Sequence, residues 1–283
     1  MANTNTTGDL IFRAALSTAA ATILLIVGGM IAMMLWRSLP TIEQFGLGFL
    51  FGRDWDQARN DFGALPFIYG TIVASLIALL ISVPVSLGVA IFLTEQAPKN
   101  IARPIAFLVE LLAAIPSVVF GLWGIFVLAP LLGGKVMLTG GVILAIMITP
   151  IITAVVRDIL EAVPGAQREA AFALGATKWE TTQIVLANAA SGIAGAIVLG
   201  LGRALGETMA VTMVIGNNPQ INFSLFAPAN TIASVIALNF AEARNGSLYQ
   251  SALIQMGLVL FVITFTVNAL AKFLVSTVNR QAR

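Results

Sequence analysis

The sequence predicts an all-α integral membrane protein with six transmembrane helices, on three observations. Of 283 residues, 58% are hydrophobic and only 10% charged, with a mean hydropathy of +0.95, whereas a soluble domain carries about 25% charged residues. Six charge-poor stretches reach the roughly 20 apolar residues that a spanning helix needs. The basic residues fall unevenly on the connections between these stretches. Composition also excludes chemistry. There is no cysteine, hence no disulfide, iron–sulfur cluster or thiol catalysis, and no histidine, the commonest metal ligand and proton shuttle. The net charge of +2 does not signal nucleic acid, because no basic run exists.

The whole chain, 1–283, reads as one membrane domain. After a polar start comes an apolar run at 14–36, too long for the core of a cleaved signal peptide and without a small-residue cleavage site, so it is expected to be a retained first span. The further spans are 66–93, 105–132, 136–157, 191–216 and 248–275. An even number of spans puts both termini on one side. With them lie Arg13, Lys99, Arg103, Arg157, Arg168, Lys178, Lys272, Arg280 and Arg283, nine basic residues against five on the other side (Arg37, Arg53, Arg59, Lys135 and Arg244). The bias places both termini in the cytoplasm. Pro84, Pro116 and Pro150 fall inside spans and predict kinks that neighbouring helices repair. Residues 37–65 read as a short external loop, and "TIASVIALNFAEA" within 217–247 as an interfacial or re-entrant helix buried against protein.

The cytoplasmic loop 158–190 is longer than a span-to-span turn requires. Pro164 and Gly165 open a run of strong helix formers, "AQREAAFAL". Gly175 follows as a C-terminal cap, and Thr177 with Glu180 matches a capping box. The prediction is helix, sharp corner, second helix. Ala170, Ala171 and Ala173 offer a small-residue surface suited either to another protein's groove or to the membrane surface.

Between Glu180 and Glu242 the only charges are Arg203 and Glu207, in the middle of span five. A central charge costs about 2.5–3.5 kcal/mol on insertion scales and is by default a candidate functional group. Four residues apart on a helix, the two would share a face and partly neutralise each other. The bland alternative is an ion pair that fixes packing, but removing both charges would be the cheaper way to stabilise a span. Arginine's planar fork donates two parallel hydrogen bonds to an oxyanion and stays charged. A glutamate beside it can hold the fork, or accept from the hydroxyl of phosphate, which keeps a proton at neutral pH. Gly200, Gly202 and Gly206 would let a neighbouring helix come close. Glu110, in span three near the cytoplasmic face, reads as structural, either snorkelling or paired with a basic loop residue.

The loop "EAAFALGATKWETTQIV" resembles the EAA loop of permease subunits of ABC importers, with Glu169, Ala170, Ala171 and Gly175 in the family's positions. The family's pattern closes with Leu-Pro, where this chain has Ala187 and Asn188. "LLAAIPSVVFGLWGIFVLAP" and "GLGRALGETMAVTMVIGN" are similar to the permeases of bacterial phosphate-specific ABC importers, in particular the C-type subunit, and recognisable matches cover roughly 66–275. The resemblance implies an importer-permease fold whose cytoplasmic loop is a coupling helix seated on an ATPase. It implies translocation of phosphate past Arg203 and Glu207. It also implies three kinds of partner in a bacterial inner membrane: a second permease, two ATP-binding subunits and an extracytoplasmic phosphate-binding protein. The chain itself has no phosphate-binding Gly-Lys-Ser/Thr loop, since its only Gly-Lys, Gly134-Lys135, is followed by Val136. It is therefore expected to be no enzyme and to hold no cofactor. The competing readings are a permease for another tetrahedral oxyanion, an ion-gradient-driven secondary transporter, and a silent assembly subunit. The scarcity of membrane acids speaks against the second, and the third leaves Arg203 and Glu207 without a task.

Overall fold

A computed structural model describes the backbone of residues 7–281 and the side chains of 8–273. Arg283 lies outside the described residues, and Arg280 outside the described side chains. The chain begins with α1 (Thr7–Phe45), followed by the short α2 (Gly48–Phe51) and an antiparallel hairpin, β1 (Trp55–Asp56) with β2 (Asp61–Phe62). Then come α3 (Leu65–Ile91), running on into a π-helical turn at Phe92–Gln96, and α4 (Lys99–Ala114). After these follow α5 (Ser117–Trp123), a second π turn at Gly124–Leu128 and α6 (Ala129–Leu131). The remainder is α7 (Met137–Glu161), α8 (Gly165–Ala173), α9 (Lys178–Gly206), α10 (Met209–Val214), α11 (Ile232–Asn239) and α12 (Leu248–Gln281). Among the described residues, five helices are long and apolar enough to cross a membrane, or six if the bent pair Lys99–Ala114 and Ser117–Leu131 is one span.

The central post is α7. Two-thirds of its apolar window (67%) is buried inside the chain, against 28% for α3 and α9 and none for α1. Ile148, Ile152, Val156 and Leu160 of α7 form one core with Ala74 and Ala78 of α3 and Val185 and Ala196 of α9. Packing is close because glycines remove side chains where helices meet: a Cβ on Gly200 would come 2.6 Å from Ile152, and one on Gly192 2.8 Å from Ile159. At the opposite end from the α8 loop, residues 37–65 do not form a free loop. Phe49, Phe62 and Phe67 are fully buried, and Trp55 and Tyr249 stack among them with ring centroids 5.0–6.1 Å apart. The first span extends beyond the expected 14–36 to Phe45, because Thr41 is anchored to Ser251 of α12 through a 2.7 Å hydroxyl–hydroxyl bond.

Two expected spans differ in form. The stretch 105–132 is not a straight helix but two arms bent by 93°. The cause is local: Pro116 has no N–H to continue the ladder and forces Ile115 into an extended conformation (φ −66°, ψ 129°). The stretch 191–216 is likewise broken. α9 ends at Gly206, Glu207 is extended (φ −68°, ψ 128°), and α10 restarts at Met209. No proline marks that break. The expected re-entrant segment forms α11, which is only eight residues long and buried at Ile232–Val235. Its N-terminus is held by Thr231, whose hydroxyl accepts from the Ser234 N–H at 3.1 Å, and by Thr71 of α3, whose hydroxyl accepts from the Ile232 N–H at 3.0 Å. Gly70 admits this approach by leaving room for the Asn230 carbonyl.

Candidate functional site

Arg203 lies in the last turn of α9 and Glu207 caps its end, so the two approach each other as an i,i+4 pair. Their closest contact is Nη2 to Oε2 at 3.9 Å, with no fork-to-carboxylate pairing. Glu207 is nearly buried, with 9% of its side chain exposed, and its Oε1 accepts from the Ala210 N–H at 3.4 Å at the start of α10. The carboxylate is thus partly spent on an otherwise orphaned backbone donor. The Arg203 side chain is 44% exposed and makes no other ion pair or hydrogen bond among the described residues. It opens into a cavity of about 620 Å³ between α7, α9 and α12, whose walls include Ile151, Gly195, Gly202, Asn268 and Lys272. Such a volume lies within the range of about 300–1,000 Å³ usual for small-molecule sites. Of the three glycines expected to allow close helix packing, only Gly200 does so tightly. A Cβ on Gly202 would make an ordinary 3.6 Å contact with the Asn268 amide, and one on Gly206 would meet nothing within 4 Å.

The cytoplasmic loop folds as its sequence predicts. Gly175 sits at φ +85°, a conformation costly for any residue with a Cβ. It closes α8 with two bonds, its own N–H to the Phe172 carbonyl at 2.9 Å and the Ala176 N–H to the Ala171 carbonyl at 3.1 Å. Both arms of the Thr177–Glu180 capping box form, at 2.7 Å (Thr177 N–H to Glu180 Oε2) and 3.3 Å (Glu180 N–H to Thr177 Oγ1). These bonds from the Thr177 backbone and hydroxyl hold the Glu180 carboxyl below the usual glutamate range. The alanines divide: Ala171 is buried towards the body, while Glu169, Ala170 and Ala173 face outward. Three large apolar side chains are also exposed at this corner, Phe172, Trp179 and, at 89%, Leu174. α9 runs unbroken through Ala187 and Asn188, where the Asn188 amide donates to Gln167 of α8 at 2.9 Å.

The residue that fixes this loop escaped sequence reasoning. Arg168 of α8 donates from Nη2 and Nε to Glu95 in the first π turn (2.8 and 3.3 Å), from Nη1 to the Val163 carbonyl (2.8 Å) and from Nη2 to the Leu160 carbonyl (2.9 Å). Four of its five donors are used, and Glu95 is only 9% exposed. Arg168 thereby ties α8 to the ends of both α3 and α7. Glu95 is 73 residues away in sequence, and no periodicity signals the pairing. Glu110 also finds a partner, Arg157 at 3.0 Å, which in turn contacts Asp158 at 2.9 Å.

Residues 86–280 match the family model described as binding-protein-dependent transport system inner membrane component. The chain is 44% identical to the phosphate transport system permease protein PstC of Mesorhizobium japonicum, over 96% of this chain and 91% of that protein. It is 40% identical to the protein of the same name from Haemophilus influenzae, over 96% and 94%. Among solved structures, the inward-facing MetNI methionine ABC transporter aligns with a TM-score of 0.60 at 18% identity, covering 76% of this chain and 94% of that one. A bacterial ABC transporter involved in import of the acidic polysaccharide alginate aligns at 0.59 and 17%, covering 93% and 99%. At these identities the structural matches speak for the fold alone.

Proposed function

The chain belongs to the family of binding-protein-dependent transport system inner membrane components, and from that premise we propose that it is the C-type permease subunit of an ATP-driven phosphate importer. The observation that carries the substrate class is Arg203, a guanidinium with only a loose partner, facing a cavity beside a break in a membrane helix. Unwound backbone at membrane depth is tolerated where it lines a cavity or is buried in protein. There Arg203 meets a tetrahedral oxyanion with its fork, and Glu207 sets the fork's position and accepts from a phosphate hydroxyl. The whole chain acts as one membrane domain.

The energy comes from partners. α8 is the coupling helix, presenting Glu169 and Ala170 outward with Gly175 at its closing turn, while Ala171 is buried. The exposed Phe172, Leu174 and Trp179 give an ATP-binding subunit an apolar surface that this chain does not cover. Two such subunits hydrolyse ATP, and a second permease completes the path. An extracytoplasmic phosphate-binding protein delivers the substrate, and both termini face the cytoplasm. The test is reconstitution of the full complex in vesicles. Phosphate uptake should require ATP and persist when the membrane potential is collapsed. Uptake that continues without ATP at intact potential would make the protein a gradient-driven transporter instead.

A further inference from the structure

Three side chains that nothing in the sequence brings together share the cavity beneath Arg203: Arg203 itself, Asn268 and Lys272. On α12 the last two are one turn apart and therefore on one face. Neither makes a hydrogen bond or ion pair with any described residue. Their directions converge. Side chains lean towards the N-terminus of their own helix, and in the topology proposed above α9 starts at the cytoplasm while α12 starts outside. Arg203 thus leans inward, and Asn268 and Lys272 lean outward to meet it. The space is kept open by the backbone. The Asn268 amide lies over Gly202, the neighbour of Arg203, and a Cβ at Gly195 would meet nothing within 4 Å. Glycine inside a helix costs about 0.5–1 kcal/mol relative to alanine. At Gly200 and Gly192 close packing accounts for it, but at Gly195 no neighbour does.

We propose that Asn268 and Lys272 form, with Arg203, a phosphate-binding step on the cytoplasmic side of the permease, extending about 12 Å along α9 from Arg203 to Gly195. This rests on the functional reading above and adds a site to it. Lys272 supplies the second cation, so that the anion leaves Arg203 for another charge and not for apolar wall. Asn268 contributes discrimination: its amide offers a donor and an acceptor, and among oxyanions only one that carries a proton can donate to that acceptor. Phosphate satisfies it and sulfate does not. The same chemistry would hold the phosphate of a lipid headgroup, and the test separates the two sources.

The chain has no cysteine, so Gly195→Cys introduces a single reporter in the wall of the cavity. In the full importer complex, in inside-out vesicles, the labelling rate by a small maleimide added from the cytoplasmic side is read with and without inorganic phosphate. Phosphate should slow labelling at least about fivefold and sulfate should not. A Lys272→Gln substitution should raise the phosphate concentration needed for half-maximal protection about tenfold, the loss expected when one charged hydrogen-bonding partner is removed. Lys272→Arg should leave it unchanged, with assembly checked by co-purification in each case. Equal protection by sulfate, or labelling indifferent to phosphate in a complex that still imports phosphate, would overturn the proposal. Labelling that instead accelerates on exchanging lipid for detergent, with no response to inorganic phosphate, would assign the cavity to a headgroup and also overturn it. A complex that imports no phosphate at all would strike the function itself, a distinguishable result.

Discussion

Two of the molecule's arginine–glutamate pairs are opposite in character. Arg168 and Glu95 are 73 residues apart in sequence, meet at 2.8 Å and are mostly buried, and the guanidinium is nearly saturated with acceptors. Arg203 and Glu207 are four apart, approach only to 3.9 Å and leave the guanidinium half exposed. Nearness in sequence is therefore a poor measure of pairing. A saturated arginine can join helices but has no donors left for a ligand. An arginine whose carboxylate is diverted to a helix start keeps its fork for an anion.

The contrast is broken most severely at Arg203. Arg203→Gln should lower ATP-driven phosphate uptake at least about 100-fold, the value of charge-assisted hydrogen bonds to an anion, while the complex still co-purifies. Arg203→Lys, with charge but no fork, should retain part of the activity. Exchanging the two residues, Arg203→Glu with Glu207→Arg, moves the cation out of the cavity to a position beyond the helix end, so the protein should assemble and remain inactive. Near-normal uptake by the exchanged protein would make the pair structural.

Next comes the cytoplasmic pair. Arg168→Gln strands a buried carboxylate, at about 3–5 kcal/mol, and should make residues 164–177 susceptible to limited proteolysis. Adding Glu95→Gln should recover much of that loss, because both charges are then gone. The corresponding double change at Arg203 and Glu207 should recover no uptake. Equal recovery at both sites would erase the distinction.

A smaller effect is expected at the corner of the loop. A Cβ at Gly175 would meet nothing within 4 Å, so the main cost of Gly175→Val is backbone strain at φ +85°, about 1–3 kcal/mol. It should weaken ATPase co-purification without preventing membrane insertion. The smallest effect is a pH dependence at Glu180. Its carboxyl is held below the ordinary range by Thr177. Its contribution to the start of α9 is therefore complete above the ordinary glutamate value of 4.5 and is lost as pH falls through the lowered value. The readout is proteolysis of the loop across pH 3–6, and Glu180→Gln should flatten the profile.

What was legible follows from which physics is local. Spans were readable because hydropathy sums side-chain transfer energies over a window, and the Gly175 turn and capping box were readable because their partners lie within five residues. The break after Gly206 was not, because hydropathy does not register backbone dihedrals and no proline marks it. Pro116 did carry its signal, but a proline in a membrane helix predicts a kink as readily as a 93° corner. The inward placement of Ala171, the Glu95–Arg168 joint and the shared cavity of Arg203, Asn268 and Lys272 depend on how distant helices dock. No single-chain periodicity encodes that.

The π turn at Phe92–Gln96 has a geometric consequence. Such a turn is an α-helix carrying one surplus residue, which advances everything after it by about 100° around the axis. Glu95 lies inside that turn, so the surplus residue sets the compass bearing at which α3 presents its carboxylate to Arg168. Deleting one residue from the turn would shorten the helix by about 1.5 Å yet swing Glu95 away from Arg168. A single residue of phase, stored where α3 ends, fixes the angle at which α8 can be held.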